Sequence, residues 1–327
     1  MTRTAILGTG AYAPEKVLSN LDLEKMVNTS DQWITERTGI KERRIAAPGE
    51  VTSDMAVKAS VRALEMAHTR AEDLDLIVVG TVSPDMPMPS CAVSVQAKLG
   101  AKKAFAFDLS AACAGSLYAM AIADQYIRTG TAKRVLVLGA ELLSRLVDWT
   151  DRNTCVLFGD AAGAMVLGPS ADETRGILGI YLHSDGDAAN ILTIPGGGSL
   201  HPQSPEVLEK KLNKVAMNGR EIYKYAVRAL PEAVLEALGK HGLTPPQVTH
   251  LIAHQANLRI IESVCSRLGI PLEKCWVNID RYGNTSSASL PTTLDEANRA
   301  GRLRPGDIIA MMAIGAGMAW GSAVVRW

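Results

Sequence analysis

The sequence predicts an α/β fold in which apolar sheets are covered by helices on both faces and the chain is built as two similar halves. Two observations predict it. Short, continuous apolar runs bounded by turn residues alternate with helix-like stretches, which is the pattern of strands buried on both faces. The pattern also repeats. "AVKASVRALEMA" (56–67) leads into "LDLIVVG" (74–80), and "AVRALPEAVLEAL" (226–238) leads into "VTHLIAH" (248–254). "FDLSAACAGSL" (107–117) in turn resembles "VNIDRYGNTSSASL" (277–290), each a strand that runs into a small-residue helix start.

The elements follow in order. "TAILGTG" opens as a strand, "LDLIVVGTV" and "AFAFDLS" follow, and "RVLVLGAE" and "AAGAMVLG" close the first half. "GPSADETRG" (168–176) is the junction, giving expected halves of residues 1–171 and 172–327. The second half reads "GILGIYL", "VTHLIAHQ", "CWVNID", "DIIAMMAIGAG" and "GSAVVRW". With 47% hydrophobic and 21% charged residues and a formal net charge of zero, the chain of 327 residues is not disordered. Nothing global points to a nucleic acid or a membrane surface. The apolar runs are too short to span a bilayer, and "MTRTAILGTG" lacks the features of a signal peptide. The five cysteines (91, 113, 155, 265 and 275) form no CxxC pair and no metal-ligand spacing, the expectation being reduced thiols in the cytoplasm.

If the halves are related, their turns meet at a pseudo-twofold axis. Cys113 and Asn284 then fall at equivalent strand-to-helix turns, and His254 ends the strand that matches the one at Gly80. Cys113 has two readings: a small core residue, or a nucleophile whose thiol pKa is lowered by a helix start. His254 reads as a hydrogen-bonded strand end or a proton donor, with Gln255 and Asn257 making its turn polar. The other five histidines read as helix ends or loops. Asn284 reads as a helix cap or as an uncharged donor. Together, Cys, His and Asn suggest covalent thioester chemistry. The same trio serves papain-like proteases, but their local cysteine signature is absent.

The stretches "SDQWITERTGIKERR", "DLSAACAGSLYA", "DRNTCVLFGDAAGA", "HQANLRI", "GNTSSASLP" and "GAGMAWGSAVVRW" occur in this order along essentially the whole chain. In them the sequence resembles the β-ketoacyl-acyl carrier protein synthase III family, the initiating condensing enzymes of fatty-acid synthesis. The resemblance implies the thiolase fold, two βαβ-rich halves in an α-β-α-β-α arrangement. It implies that Cys113 is acylated by an acyl-CoA and that His254 and Asn284 stabilise the enolate formed as malonyl-acyl carrier protein loses CO₂. The acyl oxyanion would be held by the backbone N–H groups of Cys113 and Ala316. Trp33, Arg37, Arg152 and Asn257 would bind coenzyme A. Phe158 and Met88, the latter donated by the partner subunit of a homodimer, would bound the acyl pocket. Where the family commonly has Phe, the adaptable Met88 suggests a longer or branched primer. Lys224 and Arg259, with Lys210, Lys211, Lys214 and Arg220 adding charge, would dock the acidic carrier protein. No cofactor is implied, since acyl-CoA is a substrate, and neither a nucleic acid nor a membrane is an expected partner.

Locally, Thr29 and Gln32 fit a capping box for a short helix carrying Trp33 and Arg37, with Gly39 at its end. "GTGAYA" (8–13) matches a dinucleotide fingerprint, but Pro14 follows at once and no long helix is expected there. "PGGGS" (195–199) lacks the lysine of a phosphate loop and reads as a flexible loop near the pocket mouth. Three other functions weigh against the synthase reading. A starter-unit enzyme or acyltransferase of a polyketide- or quinolone-type pathway keeps the same residues. A silent scaffold would lack the nucleophile, and a degradative thiolase would need a cysteine after Cys275, which is missing.

Overall fold

The computed structural model describes residues 3–327, so the first two positions of the expected N-terminal half lie outside the described residues. The chain opens with β1 (Thr4–Tyr12). An antiparallel pair follows, β2 (Lys16–Ser19) with β3 (Glu42–Ile45), and encloses α1 (Asn20–Glu24) and α2 (Asp31–Thr38). Then come α3 (Thr52–Met66), β4 (Leu76–Gly80), α4 (Cys91–Leu99), β5 (Phe105–Leu109), α5 (Gly115–Arg128), β6 (Val135–Leu142), α6 (Arg152–Cys155) and β7 (Asp160–Pro169). The second run starts at β8 (Gly176–Ser184) and passes through a long connection with β9 (Leu192–Thr193), α7 (Pro205–Glu209) and β10 (Ala216–Met217). It continues as α8 (Gly219–Gly239), β11 (His250–Ala253), α9 (Leu258–Leu268), β12 (Cys275–Trp276), α10 (Ile279–Tyr282), α11 (Ser289–Arg299), β13 (Ile308–Gly315) and β14 (Ala319–Arg326).

The strands form two five-stranded sheets of the same design, β1-β7-β6-β4-β5 and β8-β14-β13-β11-β12. In each, the three strands joined through helices pair in parallel, and the last two strands of the run turn back antiparallel. Side-chain alternation builds the layers. Leu76 and Val78 of β4 point to the centre, while Ile77 and Val79 point outward against α3 and α4. Ile309, Met311 and Ala313 of β13 likewise face the centre, and Ile308, Ala310 and Met312 face α8 and α9. The central layer is α5 and α11: Leu117, Met120 and Leu294 belong to one core shared by both sheets. The order is therefore helix, sheet, helix, sheet, helix, and the N-termini of the two central helices meet in the middle of the molecule.

Two local expectations are corrected. α2 is capped by Ser30, not Thr29: Ser30 is extended, and its hydroxyl accepts from the Trp33 N–H at 3.1 Å. Gln32 therefore has no cap to reach and donates to Glu36 instead. Gly39 does end the helix, in the left-handed region at φ 80°. His183 lies within β8 and His250 opens β11, so these two histidines are strand residues and not helix ends or loops. The "GTG" of β1 has a packing role: a Cβ on Gly8 or Gly10 would strike the backbone of Ala63 or Ala59 on α3, which lies directly on this strand.

Candidate active site

Each central helix begins with a tight single turn, Ala112–Ala114 before α5 and Ser286–Ala288 before α11. Ala112 at φ 45° and Ser286 at φ 50° both occupy the left-handed region that side chains disfavour, so both turns are held in shape by their surroundings. The turns are equivalent in the repeat, as the sequence suggests. Residue for residue, however, Ser287 matches Cys113 and Ser110 matches Asn284, because the two left-handed residues set the register. Cys113 is 6% exposed at the tip of its turn. Gly315 packs on its amide, where a Cβ would meet the Cys113 nitrogen at 2.5 Å.

Asn284 is fixed on both sides. Its N–H donates to Leu157 O at 2.8 Å, its carbonyl accepts from Gly159 N–H at 3.0 Å, and its Oδ1 accepts from Ser286 N–H at 2.8 Å. With the oxygen engaged, the Nδ2 amino group is the part of this side chain left to donate. His254 stands one residue beyond β11, its N–H bonded to Met312 O. Its Nδ1 lies 2.6 Å from Ser289 Oγ, so Nε2 is the ring atom left for the cavity. Ser289 is the first residue of α11, and its hydroxyl also reaches Ser286 O at 2.9 Å. The serine's single proton therefore couples the His254 tautomer to the Asn284 turn.

Two cavities meet at Cys113. One, of about 110 Å³, is lined by Cys113, His254, Asn284 and Asn257. The other, of about 800 Å³, is lined by Cys113, Ala316, Ser286 and the apolar Leu143, Leu146 and Val215. Phe158 and Leu192 border both. Phe158 also forms a backbone bridge with Asn284, which ties the wall between the cavities to the donor. The expected catalytic residues thus share one chamber, with Ala316 on its second side.

Burial sets the charge states. It pushes the Cys113 thiol up to about 12, with a hydrogen bond to Ser286 opposing and the nearby Glu141 carboxylate adding to the shift. The sequence expectation of a lowered thiol is reversed here, because desolvation of a thiolate outweighs the short helix start. Burial also drives His254 down to about 3, so the imidazole is neutral at neutral pH. An unfolded histidine binds its proton near pH 6.5 and the folded one does not, so the His254 contribution to stability is complete above about 6.5 and is lost as the pH falls toward 3. Between pH 7 and pH 5, His254→Asn should therefore lose less stability than the parent chain, measured by urea unfolding. Equal losses would contradict a buried neutral imidazole.

Trp33, Arg37 and Arg152 form a second cluster, joined through Asn257 to the lining of the smaller cavity. The guanidinium of Arg37 lies 4.8 Å and that of Arg152 4.6 Å from the centre of the Trp33 ring. Asn257 caps α9 through Oδ1 and donates from Nδ2 to Arg37 O at 3.0 Å, which links this cluster to the His254 turn. Gln255 is structural: its amide bonds Ala253 O and Trp276 O and accepts from Asn278 and Ile279. Met88 is 83% exposed and lines neither cavity of its own chain. Gly196 of the "PGGGS" loop borders the larger cavity. Lys224 is paired with Glu221, Lys210 with Glu206 and Lys211 with Asp148, whereas Arg259 is exposed and in no ion pair among the described residues. The sequence reading missed Glu141, Ser286 and Ser289; the serine-rich "GNTSSASL" was the available signal, and it reads equally as helix capping.

The sequence model of 3-oxoacyl-(acyl-carrier-protein) synthase III matches residues 107–186, and that of its C-terminal part matches residues 238–327. The beta-ketoacyl-(acyl-carrier-protein) synthase III of Caldanaerobacter subterraneus subsp. tengcongensis is 54% identical over 322 residues, covering 98% of this chain and 97% of that protein. The chain belongs to the β-ketoacyl-acyl carrier protein synthase III family. It is a condensing acyltransferase of fatty-acid biosynthesis with the thiolase fold. The crystal structure of 3-oxoacyl-(acyl-carrier-protein) synthase III from Aquifex aeolicus VF5 superposes with a TM-score of 0.92 at 48% identity, covering 99% of this chain and all of that one. The priming β-ketosynthase of the R1128 polyketide pathway superposes equally well, TM-score 0.92, at 35% identity, covering 99% of this chain and 96% of that one. No helix among the described residues is long and apolar enough to cross a membrane.

Proposed function

We propose that this chain condenses an acyl-CoA primer with malonyl-acyl carrier protein through an acyl-Cys113 intermediate. The observation that carries the reading is the single chamber lined by Cys113, His254 and Asn284. Cys113 Sγ attacks the thioester carbonyl and coenzyme A leaves as its thiol. Malonyl-acyl carrier protein then enters by the same channel and loses CO₂. Nε2–H of His254 and Nδ2–H of Asn284 hold the enolate oxygen in a site shielded from water, where fixed donors act most strongly. The Nε2–H tautomer is the one in which the Ser289 hydroxyl donates to Nδ1. The enolate carbon attacks acyl-Cys113, the oxyanion facing the N–H groups of Cys113 and Ala316. Collapse releases 3-oxoacyl-acyl carrier protein and the free thiol.

Trp33, Arg37 and Arg152 are the coenzyme A clamp in this reading: an adenine ring takes a place beside the indole, and the guanidiniums turn to phosphates. The smaller cavity receives the pantetheine arm past Asn257, and the larger one, bordered by Phe158, receives the acyl chain. An adaptable Met88 from the partner subunit, where the family commonly has Phe, favours a primer longer or more branched than acetyl. The chain acts without a cofactor, in the cytoplasm, as a homodimer, with residues 1–171 and 172–327 as its two halves. β5 is an edge strand with Phe105 44% exposed, and Met86 on the loop that carries Met88 is 47% exposed. Pairing of two copies along this edge covers that apolar surface and brings the partner subunit's Met88 to the acyl pocket. Arg259 and Lys224 border the carrier-protein entrance; Arg259, being unpaired, contributes more.

A second reading, priming of a polyketide-type pathway, is favoured by the likeness to the R1128 ketosynthase. Mass spectrometry of the protein after exposure to acetyl-, isobutyryl- and longer acyl-CoAs tests the proposal. One covalent acyl group on Cys113, drawn mainly from the longer or branched donors and passed on to malonyl-acyl carrier protein, is the expected result. Strict acetyl loading would overturn the pocket assignment, and the absence of any adduct would overturn the mechanism.

A further inference from the structure

We propose that Glu141, acting through the Ser286 hydroxyl, holds the Cys113 proton while the thioester is exchanged. The inference rests on Cys113 being the nucleophile and asks where its proton goes.

Glu141 is wholly buried at the end of β6, beneath the two turns that begin the central helices. Its Oε2 accepts from Ser83 Oγ at 2.6 Å, Val82 N–H at 3.1 Å and Thr81 Oγ1 at 3.3 Å. Its Oε1 lies 3.0 Å from Ser286 Oγ and 3.1 Å from Ser287 Oγ. No salt bridge is formed by this carboxylate among the described residues, so its charge is held by hydroxyls and one amide alone. Ser286 lines the larger cavity together with Cys113, and its hydroxyl opposes the upward shift that burial imposes on the thiol. The Ser286 hydroxyl, beside Cys113 in the cavity and bonded to Glu141 Oε1, is thus the group placed to pass a proton between Sγ and the carboxylate.

The network accommodates a proton on Glu141 without stranding any group. Ser287 has one hydroxyl proton and two acceptors, Glu141 Oε1 and Gly80 O, the latter at 2.7 Å. When Glu141 is ionised, Ser287 can donate to it. When Glu141 is protonated, it can donate to Ser287 Oγ while Ser287 turns its own proton to Gly80 O. A buried carboxylate meant only to anchor the turns has no need of this second arrangement.

The alternatives are poor. His254 is the other nearby base, but the protein disfavours its charged form. Deprotonating the thiol to bulk water places a new charge in the buried site, whereas moving the proton to Glu141 leaves the total charge of the site unchanged. The titratable groups that feel the Glu141 charge are Cys113 and the Cys91 thiol at the start of α4, and burial pushes both thiols up. Asp160, on the neighbouring strand β7, is committed to Ser144 and to the Ala46 N–H.

The step balances. As Sγ bonds to the acyl carbon, the S–H proton passes to Ser286 Oγ and the Ser286 proton passes to Glu141 Oε1. The carbon–sulfur bond to coenzyme A breaks, and the same path returns a proton to the leaving sulfur, which departs as a thiol. Glu141 touches neither the substrate nor the thiol, so it works by placing and refilling the Ser286 proton.

The test is rapid-quench mass spectrometry of acyl-Cys113 formation with acetyl-CoA, or with whichever of isobutyryl- and hexanoyl-CoA loads fastest, across about pH 6.5 to 8.5. The parent chain should give a nearly level profile. Glu141→Gln should be slowed about 100-fold at pH 7, with a rate that climbs about tenfold per pH unit because hydroxide must now remove the proton. Ser286→Ala should show the same steep profile, and Glu141→Asp should regain a level one at a reduced rate. Unchanged rates, or slow rates with a level profile in Glu141→Gln or Ser286→Ala, would reduce Glu141 to a packing role and overturn the proposal. If Glu141→Gln does not fold, Ser286→Ala decides alone. Failure of the parent chain to form any adduct is a different outcome, which removes Cys113 as the nucleophile and this inference with it.

Discussion

Cys113→Ser is expected to lower condensation by on the order of 10⁴-fold or more and to leave no acyl adduct at normal stoichiometry. The substitution keeps the side-chain shape, and the residue sits in a preformed turn between Ala112 and Gly315, so the fold should be unchanged. What is lost is the polarisable sulfur. A serine hydroxyl is a far weaker acid than even the buried thiol, and the site contains a neutral histidine that does not take up protons readily. Intact-protein mass spectrometry after incubation with acyl-CoA reads the adduct, and thermal unfolding confirms that the variant is folded. An acyl group retained on Cys113→Ser at the parent level would remove this residue from the mechanism.

The second large effect separates the two half-reactions. Asn284→Ala and His254→Ala should each slow malonyl-acyl carrier protein decarboxylation by about 10² to 10³-fold, or about 2.7–4 kcal/mol, while acylation of Cys113 stays within a few-fold of the parent rate. The reason is where charge develops. In the proposed mechanism, acylation builds an oxyanion beside the backbone donors of Cys113 and Ala316, whereas decarboxylation builds an enolate beside Nε2 and Nδ2. Asn284→Asp should be at least as damaging as the alanine variant, because a carboxylate in place of the amino donor repels the enolate. The double variant should fall short of the product of the two single effects, since both donors serve one oxygen. Equal loss of acylation and decarboxylation in the single variants would mean that the residues hold the chamber together and do not act on the enolate.

Much of this protein was legible in its sequence. The apolar runs predicted both sheets, because a strand buried on two faces must be apolar throughout, and the recurrence of one strand–helix pattern predicted that the sheets share a design. The small residues around Cys113 and Asn284 marked the two turns that open the central helices. The motifs that carry the family resemblance run nearly the whole length of the chain. Other features depend on distant parts of the chain meeting, and local signals cannot report them. Ser30 replaced Thr29 as the cap through a one-residue choice of backbone conformation. Pro14 already set "GTG" apart from a nucleotide motif, but its packing role, the close approach of α3, depends on a helix some fifty residues away. The direction of the Cys113 shift was reversed, because a helix start is visible in sequence whereas desolvation depends on everything packed around the sulfur.

The sequence by itself determined the residue types on which the proposed chemistry depends: one thiol, one imidazole and one amide, each at the end of a strand or the start of a helix. It also determined the covering of both sheets, since a continuous apolar run is a local property. Only the tertiary structure decided what those groups are. Burial made the imidazole neutral, the Ser286 amide left the Asn284 amino group to donate, and the meeting of the two central helix starts above β6 set a buried glutamate one hydrogen bond from the serine beside the thiol. Those outcomes are set by solvent exclusion and by contacts between residues far apart in the chain, and neither quantity exists until the chain has folded.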